Sequence, residues 1–144
     1  MNHEILFRGK RMDNGEWVYG DYHKFTCTTS GIIPTPTHYV MGTDVNFRGQ
    51  IWVDQDTVGQ YTGLDDKNGV KIFEGDIVHI HDLIFKYGDP HHEFNGYVDF
   101  ANGSFVILGI NEVVHYRWLD YDITVIGNIH DNPELLGGND GTTD

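Results

Sequence analysis

The chain has 144 residues, 22 of them acidic and 9 basic, for a formal net charge of −13. That length suits one ordinary domain, or one with an appended β-element, and the acidity disfavours recognition of nucleic acid through its phosphates. One cysteine, Cys27, cannot build a disulfide framework, and no run approaches the ~18 apolar residues of a membrane helix.

Four Asn-Gly dipeptides punctuate the chain, each offering the positive-φ pair that a two-residue type I′ hairpin requires, so the alternation around each one decides its role. A strand is expected over residues 5–7. It is followed by Arg8, Lys10 and Arg11, which read as a solvated turn face because they precede Asn14-Gly15. That turn leads into Trp17 and Tyr19 on one face with Val18 on the other. Further strands are expected at 22–26, 38–41, 51–53 and 57–61. Between the first two, Ile32-Ile33-Pro34-Thr35-Pro36-Thr37 reads as an extended loop or exposed edge suited to contact with another subunit.

Asn68-Gly69 leads into a strand at 70–73. In Glu74-Gly75-Asp76 the glycine makes a bend that starts a strand at 76–81. Asn95-Gly96 is expected to open a strand at Tyr97, and Asn102-Gly103 to join 97–100 to 104–107 as a hairpin. Residues 110–121 are ambiguous: Val113, Val114, Arg117, Trp118 and Tyr121 suit a helical face, while Val113-Val114 also suits a buried strand. A short helix or irregular crossover is the preferred reading. A strand at 123–126 follows. Asp131-Asn132-Pro133-Glu134-Leu135-Leu136 then predicts one helical turn, with Asp131 or Asn132 as N-cap and Gly137 as stop.

Short β-branched and aromatic strands with Gly-rich turns predict a mostly β fold: an N-terminal β-region over residues 1–55, a small SH3-like β-barrel with a short C-terminal helical turn over 56–136, and a flexible tail over 137–144. Closure into a barrel removes exposed strand edges. The start, Met1-Asn2-His3-Glu4, lacks the basic-then-apolar layout of a signal peptide, so a cytoplasmic location is expected.

The strongest candidate for chemistry is a pair of histidines. His79 and His81 are two apart on one expected strand and so share a face, and His91, His92, Glu93 or Asp82 would be needed to complete a zinc set. Against this, Val78 and Ile80 form the apolar side of the strand, which leaves the histidines toward solvent. Asp65, Asp66, Glu74 and Asp76 crowd together, but they lack the alternating ligands of a calcium loop and suit turns instead. Cys27 reads as a buried or half-buried thiol. No phosphate-binding loop, dinucleotide fingerprint, nucleophile elbow or Cys-x-x-Cys occurs, so no catalytic residue, metal or cofactor is assigned. Imitation of DNA by the carboxylates is an alternative. The average is about one charge per 3 Å, against one per ~1.7 Å for the duplex, so mimicry requires them gathered on one face.

Three ordered blocks carry a family likeness. They are Phe7-Arg8-Gly9-Lys10-Arg11 through Asn14-Gly15-Glu16-Trp17-Val18-Tyr19-Gly20-Asp21, then Thr57 through His81, then Val125-Ile126-Gly127-Asn128-Ile129-His130-Asp131-Asn132-Pro133-Glu134-Leu135-Leu136. Together they resemble the YopX family of bacteriophage and prophage proteins. The resemblance implies a cytoplasmic, phage-related protein that self-associates, and it supplies no catalytic residues. The expectation is therefore a non-enzymatic homo-oligomer that works through protein contacts, with a host or phage protein as a further partner. At least one of Trp17, Trp52 and Trp118 is expected at a subunit boundary.

Overall fold

The computed structural model describes residues 4–24, 38–42, 51–82, 93–109, 113–114 and 121–137. The expectations for Cys27, the proline-containing loop, His91, His92, Trp118 and the tail beyond 137 lie outside the described residues. The chain divides into two compact units, Met1–Tyr61 and Thr62–Asp144.

The fold is mostly β. The strands are β1 (Phe7–Lys10), β2 (Trp17–Lys24), β3 (His38–Gly42), β4 (Ile51–Trp52), β5 (Gly59–Asp65), β6 (Lys71–Phe73), β7 (Asp76–Asp82), β8 (Glu93–Ala101), β9 (Ser104–Leu108), β10 (Val113–Val114) and β11 (Tyr121–Asn128), followed by the short helix α1 (Glu134–Gly137). Val113-Val114 thus takes the strand alternative rather than the preferred helical one. Two residues paired with Ile107 and Leu108 gain ladder bonds that an isolated helical turn would not supply.

In the first unit the strand order is β4-β3-β2-β1-β5, and β5 continues across the division to neighbour β6. The Asn14-Gly15 turn is longer than expected. Arg11 N donates to Glu16 O at 2.9 Å, enclosing four residues, and only Gly15 is left-handed, with φ 75°. The Asn14 side chain serves the turn differently, accepting from Glu16 N at 2.9 Å. Nor is the basic cluster a uniformly solvated face. Lys10 faces Trp17 across the ladder and Arg8 faces Tyr19. Arg8 is buried, with its guanidinium carbon 4.6 Å from the Trp17 ring centre, while Lys10 Nζ lies 5.6 Å from it. Gly9, between them on the other face, leaves room for Val53, whose side chain would lie 3.1 Å from a Cβ there.

The second unit holds the sheet β10-β9-β8-β7-β11. No ladder among the described residues joins β10 to β11, so the ladders seen form an open five-stranded order rather than a closed barrel. Alternation places Val78 and Ile80 of β7, Val98 of β8, Ile107 of β9 and Ile123 of β11 on one face, where with Ile72 they form the core. Phe94, Phe105 and Val125 pack against it.

Asn102-Gly103 is the type I′ turn expected, with φ values of 54° and 86°. Asn95-Gly96 is not a strand opener. It lies inside β8, with Gly96 opposite Val78, and a Cβ on Gly96 would come within 2.9 Å of both Ile107 Cγ2 and the Leu108 carbonyl oxygen. This glycine therefore permits a close approach. A similar approach seats the segment before α1: a Cβ on Gly127, at the bulge in β11, would meet Asn132 Oδ1 at 2.6 Å and Leu135 Cδ1 at 3.0 Å. No helix among the described residues is long and apolar enough to cross a membrane.

Candidate functional site

The histidine face of β7 lies opposite the core. His79 pairs with Asn95 of β8 on one side and Thr124 of β11 on the other, and His81 pairs with Glu93 and Asp122. Cross-strand partners share a face, so two histidines, two carboxylates, an amide and a hydroxyl come together across three strands. Ile77, two residues before His79, is fully buried on this same face. The face is thus covered at the start of the strand and opens toward its end.

Both nitrogens of the His79 ring are engaged. Nδ1 lies 2.8 Å from Asn95 Oδ1, and Nε2 lies 2.7 Å from Glu93 Oε1. The Asn95 amide has a second partner: Nδ2 donates to the Leu135 carbonyl oxygen at 3.2 Å, which ties β8 to α1. The His79 and Glu93 side chains are 40% and 48% exposed, so solvent reaches the pair. A metal would have to displace both contacts of His79, and among the described residues no group of three or more His, Cys, Asp and Glu is placed to hold one. The arrangement suits proton exchange and polar docking better than coordination.

Asn95 does not stand out in the sequence, because its dipeptide reads as the opening of the strand at Tyr97. The detectable signal was an Asn 16 positions from His79 in a segment with strand alternation, which becomes meaningful only once the register is known.

The carboxylate run resolves into turn chemistry at two places. Asp66, 7% exposed, accepts from Asn68 N at 2.8 Å and Val70 N at 2.9 Å through Oδ1, and from Val125 N at 2.9 Å through Oδ2. Lys67 N donates to Ile123 O at 3.1 Å, so the β5–β6 turn caps the outer edge of β11. Burial, the largest single influence, pushes the Asp66 carboxyl up. The three backbone N–H groups, with Lys67 nearby, outweigh it and hold the group below the ordinary value of 3.8. Asp76, also buried, accepts from Phe73 N at 2.7 Å across the bend, where Gly75 has φ 91°.

No curated protein matches the chain. A crystal structure of protein EF1440 from Enterococcus faecalis is similar at 29% identity and a TM-score of 0.50, covering 94% of this chain and 99% of that one. The YopX protein family model matches residues 6–137, nearly the whole chain and all three sequence blocks, and the chain therefore belongs to the YopX family.

Proposed function

We propose that the protein is a non-enzymatic phage or prophage accessory protein that assembles with copies of itself and acts in the cytoplasm through protein contacts, with a host or phage protein as a further partner. The observation that carries this reading is an exposed apolar pair in the first unit. Met12 and Trp52, 56% and 38% exposed, are adjacent because Met12 N donates to Trp52 O at 3.0 Å. Methionine and tryptophan are enriched in the cores of interfaces, and side-by-side exposure costs more than scattered apolar residues do. Sedimentation of the intact chain at micromolar concentration tests the reading. An oligomer that Trp52→Asp reduces toward monomer is expected, and a monomeric parent protein would overturn it.

One observation favours a second reading, the acidic imitation of DNA. Residues 62–144 carry 15 of the 22 acidic residues and only 4 of the 9 basic ones. A unit so charged would attract basic surfaces, and that attraction weakens steeply with salt. Competition with duplex DNA for a DNA-binding host enzyme at low and high salt separates the two readings. Only the mimic displaces DNA.

A further inference from the structure

The Asn95 amide lies between a ring nitrogen, His79 Nδ1, and a carbonyl oxygen, that of Leu135, and the two partners limit how it can lie. Because Nδ2 donates to the Leu135 carbonyl, Oδ1 is the atom presented to His79 Nδ1. Amide and carboxylate oxygens only accept, so His79 satisfies Asn95 and Glu93 together when both ring nitrogens carry hydrogen.

We infer that the protonation state of His79 sets the orientation of the Asn95 amide, and through it the tether between β8 and α1. When the ring gives up one proton to solvent, the remaining N–H stays with the stronger acceptor. That acceptor is the Glu93 carboxylate, since a hydrogen bond to an ionised group is roughly twice as strong as a neutral one. The proton leaves from Nδ1, and the lone pair exposed there meets Asn95 Oδ1, one acceptor against another. Turning the amide over relieves this, because Nδ2 then donates to Nδ1. The same turn points Oδ1 at the Leu135 carbonyl oxygen, also an acceptor, and the tether is lost. No covalent bond changes; one proton moves between the ring and water.

The charged and titratable groups around the ring come from each neighbouring element. They are His81 on β7, Glu93 on β8 and Asp122 on β11 opposite His81; α1 itself carries Glu134 in its first turn. Thr124 of β11 lies opposite His79 itself and carries no charge. Leu135 keeps its N–H bond to the Asn132 carbonyl at 3.0 Å and its packing at Gly127, so the switch loosens α1 rather than undocking it. The switch lies within one chain and does not depend on self-association.

The test is a pH titration of the full chain by nitrogen and carbon NMR. Three results are expected of the parent protein. The neutral His79 ring carries its hydrogen on Nε2. The Asn95 side-chain amide and Leu135 carbonyl signals move with the same midpoint as the ring. Protection of the α1 amides falls about fivefold across it, as the loss of one ordinary hydrogen bond implies. In Glu93→Gln the new amide can itself donate to Nε2, so the neutral ring keeps Nδ1–H and the Asn95 and Leu135 signals stay flat. His81→Asn retains the parent response, which separates the two histidines. A neutral parent ring protonated on Nδ1, or Asn95 signals that stay still while His79 titrates, would overturn the inference.

Discussion

Asp66 and His79 are both polar groups that tie strands together in the second unit, yet they are built on opposite principles. Asp66 is buried and gathers three backbone N–H groups from its own turn and from β11, groups that would otherwise be stranded. His79 is 40% exposed and gathers two side chains that water also serves. The worth of a polar contact follows from what is left unpaired when it goes, rather than from its length. At 2.7 Å, the His79–Glu93 contact is shorter than any of the three that Asp66 makes.

Asp66→Ala should have the largest effect. It removes a charged acceptor from three backbone donors and should cost about 3 kcal/mol or more in urea unfolding, at ~1.5 to 3 kcal/mol for a hydrogen bond to a charged group. A loss below 1 kcal/mol would show that the turn does not anchor β11. The same residue predicts an acid limb. Its folded pKa lies below the unfolded one, so its stabilisation is fully present above the unfolded value near 3.8 and is lost as pH falls from there through the folded pKa. Unfolding followed between pH 5 and 2 should therefore show a steeper acid loss in the parent protein than in Asp66→Asn, and equal slopes would contradict it.

Gly96→Ala comes next, on the core side of β8, opposite to the side that Asn95 faces. The added Cβ meets a backbone carbonyl oxygen at 2.9 Å, which cannot swing away, and overpacking of this kind costs about 1 to 3 kcal/mol. His79→Ala, acting on the open face, should cost less than about 1 kcal/mol, as expected of an exposed pair. A larger loss than that of Gly96→Ala would reverse the ranking. Least of all, Arg11→Ala should leave the unfolding midpoint unchanged. The guanidinium hydrogen-bonds Asp13 at 2.7 Å and holds its carboxyl low, but both groups lie in solvent.

The four Asn-Gly dipeptides mark where sequence was sufficient and where it was not. At Asn102-Gly103 the alternation on both sides matches a two-residue turn, and both residues are left-handed. At Asn68-Gly69 the place was legible and the turn type was not. Asp66 N bonds Val70 O at 2.7 Å, closing three residues, so Gly69 alone takes positive φ. There the Asp66 side chain sets the loop length, through bonds that reach as far as residue 125. Asn95-Gly96 has the same composition and no turn at all, because β8 pairs on both sides and requires a residue without a Cβ.

The histidine face was legible in part. Period-two alternation put Val78 and Ile80 inward and His79 and His81 on the opposite side, since a strand offers its side chains only two directions. Glu93 was legible beside the histidines, though as a zinc ligand rather than a hydrogen-bond partner; Asn95, 16 residues from His79, and the Leu135 carbonyl, 40 residues from Asn95, were not legible, being placed by register.

The sequence by itself determined the mostly β character, the family, the core side of β7 and the role of Asp66 and Asp76 in turns. All of these depend on local periodicity, on turn chemistry or on motifs written along the chain. Only the tertiary structure decided that Asp66 caps the edge of β11, that Arg8 is buried over Trp17, and that both nitrogens of His79 are engaged. Those outcomes depend on which strands pair and in what register, and a slip of one residue would turn each of these side chains to the other face.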